Sequence, residues 1–158
     1  MKEGKYSALD VAYEAINFLN KEKSVVSNLK LQKLLYFFQG LYSVPDHEAL
    51  FKDEFEAWQY GPVVRAVYRE FRMFGANSIP AFSQAYLERK EIRSLEEEDK
   101  GFIHDIALIL KDCSASDLVN MTHEQSPWQN AYDPKKTDNL ISFESIDSYF
   151  NETYGKQE

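Results

Sequence analysis

The stretch KLQKLLYFFQGLY, from Lys30 to Tyr42, constrains this chain more than any other part of it. Leu31, Leu34, Leu35, Phe38 and Leu41 recur at spacings of three and four, the period at which side chains share one face of an α-helix. The apolar face is wide, so the helix belongs at the centre of a fold rather than on its surface. Asn28 or Ser27 supplies its cap.

The other helices announce themselves by their starts. Ser7 and Asp10 have capping-box spacing ahead of Leu9, Ala12, Ile16 and Leu19. Ser94 and Glu97 have the same spacing ahead of Phe102, Ile103, Ile106, Ala107 and Leu110, and Ser114 with Asp117 opens a short helix through Leu118 and Val119. Ser126, Pro127 and Gln129 read as cap, first helical residue and capping-box partner. Ile141 and Ile146 flank Ser142 at the spacing of a hydrophobic staple, and Tyr149 and Phe150 continue that face. From Phe51 to Ala57 apolar and polar residues alternate, which predicts a short strand. Gly61-Pro62 then reads as a helix start, with Val63, Val67, Phe71 and Phe74 inward and Gly75 as the stop. Residues 76–93 read as loop or a second short strand. The prediction is a mainly α fold: one compact domain over residues 1–158, with six or seven helices and a small β-hairpin or short strands. Within it, residues 8–132 form a core and residues 133–158 a C-terminal extension with a final helix.

Composition narrows the function classes. Apolar residues make up 44% of the 158 and aromatics 15%, enough to bury a core. Apolar runs stay far short of the ~20 residues that span a bilayer, and MKEGKYSALD lacks a signal-peptide pattern, so a cytoplasmic protein is expected. A lone cysteine, Cys113, gives no disulfide framework and reads as a buried thiol at a helix end. The net charge of −8 argues against broad nucleic-acid binding.

The most chemical-looking stretch is THEQSPWQNAY, Thr122 to Tyr132. A zinc-binding helix would need a second histidine four residues after His123, and that position is Pro127; His47 and His104 stand in no ligand spacing. No nucleophile elbow, phosphate loop or dinucleotide fingerprint occurs. No catalytic residue, metal or cofactor is therefore assigned. One feature does suit a partner: Arg65, Arg69 and Arg72 recur at helical spacing, either as a solvated face or as a docking stripe for an acidic partner or RNA.

KLQKLLYFFQGLY, the following LFKDEFEAWQYGPVVRAVYREF and THEQSPWQNAY together resemble the Panacea domain family, the SocA-like group often labelled phage-associated protein. The positions carrying the resemblance are Trp58, Tyr60, Gly61, Pro62 and Tyr68, then His123, Pro127 and Trp128. It implies a non-enzymatic antitoxin that binds a protein toxin encoded nearby, and in the SocA-like group an adaptor for a ClpXP-type protease. The motif residues then act as scaffold, and Tyr149, Phe150 and Tyr154 join the arginines as candidate partner contacts. Two other readings remain: a DNA-binding regulator of its own operon, using the first two helices with Lys30 and Lys33, and a small metal-dependent hydrolase built on His123.

Overall fold

A computed structural model describes residues 4–155. The ends of the expected 1–158 domain, and the first three residues of MKEGKYSALD, lie outside them. Among the described residues the order is α1 (Ala8–Lys21), α2 (Asn28–Tyr42), β1 (Phe55–Trp58), β2 (Gly61–Val63), α3 (Arg65–Phe71) with a 3-10 turn over Arg72–Phe74, α4 (Gln84–Arg89), α5 (Glu97–Leu110), α6 (Ala115–His123), α7 (Ser126–Ala131), β3 (Leu140–Ile141) and α8 (Phe143–Tyr154). The fold is mainly α with a small antiparallel sheet in the order β2-β1-β3.

α2 is the axis. Every residue from Lys30 to Gly40 is buried, with α1, α3, α5, α6, α8 and β2 packed around the helix. Gly40 leaves room for the Phe150 ring: a Cβ there would stand 2.2 Å from Phe150 Cδ2. Tyr36 and Phe37 meet the same ring edge-on at 5.5 and 6.1 Å. The C-terminal stretch therefore completes the core, since β3 also pairs Ile141 with Phe55 of β1.

Local chemistry explains most helix starts. Ser7 and Asp10 bond each other's backbone N–H reciprocally, as do Ser114 and Asp117. Ser27 caps α2, and Ser142 caps α8 between buried Ile141 and Ile146. Four expectations need correction. Ser94 does not cap α5, which starts three residues later at Glu97 with Glu96 in the cap position; the Glu96 N–H instead donates to the Tyr6 hydroxyl at 3.0 Å. The Ser126 side chain makes no capping bond, because α7 starts from Gln125 and the Gln129 amide is turned to the His123 carbonyl. The 76–93 region holds a short helix, α4, capped by Ser83. Gly61-Pro62 opens no helix: it lies in β2, at the sheet edge, where proline's missing N–H removes no ladder bond from a neighbour. α3 begins after Val64, whose N–H donates to Gln32 Oε1 at 2.9 Å.

Candidate functional site

The β1–β2 turn, Gln59-Tyr60, is where the distant motif blocks meet. Gly61 adopts φ +110°, a conformation that side-chain-bearing residues rarely take. A Cβ there would also stand 2.6 Å from Lys33 Cε and 2.9 Å from Thr122 Oγ1. The space that glycine leaves open is filled by the Lys33 stem. Lys33 is fully buried and its Nζ donates to the Pro62 carbonyl at 2.9 Å. Burial pushes its ammonium from the ordinary 10.5 down to about 7. One residue earlier, Gln32 donates to Asn28 Oδ1 at 2.9 Å while Asn28 donates to the Tyr68 carbonyl at 3.1 Å, so α2 also grips the middle of α3.

The α6–α7 junction holds the turn from its other side. His123 ends α6 and its Nε2 lies 2.9 Å from the Gln59 carbonyl, which makes Nε2 the protonated nitrogen. Trp128 Nε1 donates to the Trp58 carbonyl at 2.8 Å. The His123 and Trp128 rings stack at 4.1 Å, and Tyr132 stacks on Trp128 at 4.7 Å. The junction is itself pinned by the Tyr36 hydroxyl, which donates to Gln125 Oε1 at 2.7 Å inside the core. Gln129 Nε2 donates to the His123 carbonyl at 2.9 Å. The carbonyls of Trp58, Gln59 and Pro62 are thus each tied to a different side chain.

On the outer face of the hairpin, Arg65 grips Glu56 with two hydrogen bonds, at 2.7 and 3.0 Å, and lies 5.8 Å over the Trp58 ring. The guanidinium holds the Glu56 carboxyl below the ordinary carboxylate range, against the opposing effect of partial burial. Trp58 donates its indole N–H to Glu56 at 2.9 Å and meets Tyr68 edge-on at 5.0 Å. The expected stripe of three equivalent arginines therefore divides. Arg65 is half-buried and committed to Glu56, whereas Arg69 and Arg72 are exposed and make no ion pair among the described residues.

Other sequence-predicted residues separate in the same way. Of the motif residues, Trp58, Tyr68, His123 and Trp128 are half-buried and Gly61 and Pro62 buried, but Tyr60 is 58% exposed, with no hydrogen bond or ring contact among the described residues. Phe150, expected as a partner contact, is fully buried against Tyr36 and Phe37 and presents no surface. Tyr149 is half-buried, and Tyr154 is exposed with its ring stacked on Phe150 at 5.7 Å. Cys113 is half-buried just past α5 rather than fully enclosed. The lysines on which the DNA-binding reading relied are buried, and Lys30 Nζ donates to the Lys111 carbonyl at 2.6 Å, so α2 offers no recognition face. His123 contacts a carbonyl and an indole rather than a carboxylate; His47 and His104 each meet one carboxylate, Asp147 and Glu14. Among the described residues no three His, Cys, Asp or Glu side chains group to hold a metal ion. Likewise none of the described helices is long and apolar enough to cross a membrane.

The residues that do the holding were mostly invisible as such in the sequence: Gln32, Lys33, Glu56 and Gln125. A lysine set inside the apolar LQKLL run was the one available signal for a buried cation.

These features define a helical scaffold that clamps a hairpin turn between a central helix and a helix junction. The antitoxin SocA-like, Panacea domain model matches residues 31–129, which include Lys33, the β1–β2 turn, His123 and Trp128, and the chain belongs to this family. It is 37% identical over 109 residues to antitoxin SocA of Caulobacter vibrioides (strain NA1000 / CB15N). That alignment covers 65% of the chain and 58% of the relative, so the chain spans less than two thirds of that protein's length. No solved structure gives a significant match.

Proposed function

We propose that the protein is a cytoplasmic antitoxin that neutralises a protein toxin encoded nearby by binding it directly, with no chemistry of its own. The observation supporting this most strongly is that the family-matched segment 31–129 uses its motif residues to build a rigid clamp, while Arg69 and Arg72 remain exposed beside it. On a chain of net charge −8, such a pair is a local positive surface suited to an acidic face of another protein. The relative's name, antitoxin SocA, points to the same role. A finer form of this reading gives a ClpXP-type protease as second partner, to which the bound toxin is handed.

Growth rescue tests the proposal. Cells expressing the neighbouring reading frame should stop growing and recover when this protein is co-expressed; failure to recover, with both proteins present at normal levels, contradicts it. Toxin half-life separates the two modes. Degradation that accelerates with this protein and needs the protease marks an adaptor, while an unchanged half-life marks simple blockade.

A further inference from the structure

We infer that Tyr60 is the anchor through which the protein docks onto its toxin, inserting its ring into a pocket on the partner's surface. This rests on the antitoxin reading and adds to it the contact residue.

An exposed tyrosine alone would mean little, because folded surfaces carry many apolar atoms. What distinguishes Tyr60 is the framework behind it. Trp128, His123 and Lys33 each donate a hydrogen bond to a backbone carbonyl within two residues of it, at 2.8, 2.9 and 2.9 Å. Gly61 takes a φ of +110° directly after it. Lys33 is drawn into full burial to make its bond. None of these groups hydrogen-bonds to or stacks on the Tyr60 side chain, which stays 58% exposed at the tip. A framework that fixes a backbone so firmly while leaving the side chain outside removes backbone entropy loss from any later contact of that side chain. Tyrosine suits such a role, since its large ring has few rotatable bonds and its hydroxyl can meet an acceptor at the base of a pocket. Tyrosine is also among the residues enriched at the energetic centres of protein interfaces.

The neighbourhood indicates the partner's character. By the rise of a strand, the chain spans at most about 13 Å from Gly61 at the tip to Arg65 at the start of α3. α3 and the turn after it carry Arg69 and Arg72. A partner of ordinary interface size would cover both features. The occupant that fits is a folded protein with a ring-sized apolar pocket beside acidic residues.

The test uses the full chain and the purified product of the adjacent reading frame, with affinities from calorimetry and folding checked by thermal melting. Tyr60→Ala should keep the wild-type melting temperature and lose about thirtyfold or more in affinity. Tyr60→Phe should retain most of the affinity lost by the alanine variant. Wild-type binding matched by Tyr60→Ala overturns the anchor and leaves the antitoxin reading standing. Absence of binding by the wild type overturns both. If Tyr60→Ala melts well below wild type, Tyr60→Glu and Tyr60→Lys decide between a packing role and a docking role. A docking role predicts lost affinity at unchanged secondary structure in both, and full affinity in either overturns it.

Discussion

Lys33 offers a prediction whose sign changes with pH. The folded chain holds this ammonium near pH 7 by burying it against the Pro62 carbonyl, whereas an unfolded chain keeps it charged to about 10.5. The group's folded-state value is lowered, so the unfolded state binds more protons between the two values. Below pH 7 both states are charged and the burial cost is present in full. As pH rises from 7 to 10.5 that cost fades, and stability climbs. At 1.36 kcal/mol per pH unit the whole interval corresponds to about 5 kcal/mol. Replacing Lys33 with methionine keeps the stem that fills the space beside Gly61 and removes the amine. It also leaves the buried Pro62 carbonyl without its donor, at a cost of about 1–3 kcal/mol. Near pH 7 the variant should therefore be more stable than wild type by about 1–3 kcal/mol, and near pH 10, where about 1 kcal/mol of the burial cost remains, less stable by up to about 2 kcal/mol. Urea titrations of both proteins at five pH values between 6 and 10 measure the difference, from which other titrating groups cancel. A difference that does not vary with pH would refute the buried, proton-shedding lysine.

Three further outcomes follow from the clamp and the core. Gly61→Ala places a Cβ at positive φ within 3 Å of Lys33 and Thr122, and should lower stability by about 1–3 kcal/mol in thermal or chemical denaturation. Trp128→Phe keeps a ring to stack between His123 and Tyr132 but loses the indole N–H, costing about 1 kcal/mol with a larger rise in amide exchange at the β1–β2 turn than elsewhere. Ending the chain after Tyr132 removes β3 and α8, exposing the Phe150 site beside Gly40; the product should show no cooperative melting transition.

What was legible in the sequence was what depends on near neighbours. The caps at Ser7, Ser114 and Ser142 act within three residues, and the α2 stripe shows its own period, so both could be read directly. Gly61-Pro62 was misread because glycine followed by proline marks either a helix start or a glycine-bearing turn with proline beside it. The choice is made by Ala57 pairing opposite Pro62 and by Lys33 from α2. α4 escaped notice since six residues carry too little periodicity, and its cap, Ser83, stood among other loop-like residues. The sequence order of Arg65, Arg69 and Arg72 showed a shared spacing but not the Glu56 carboxylate that removes one of them from the surface. Phe150 looked like part of an outlying helix until Gly40, over a hundred residues earlier, supplied its pocket. Buried polar ties such as Gln125 to Tyr36 depend on contacts across the whole chain and leave no local trace.

The most direct measurement is calorimetric titration of the purified protein with the purified product of the adjacent reading frame, repeated with Arg69→Glu/Arg72→Glu. A saturable complex of fixed stoichiometry is expected for the wild type. The charge-reversed variant should bind at least tenfold more weakly at low salt with an unchanged melting temperature. Growth rescue in cells without any complex in the calorimeter would contradict neutralisation by direct binding.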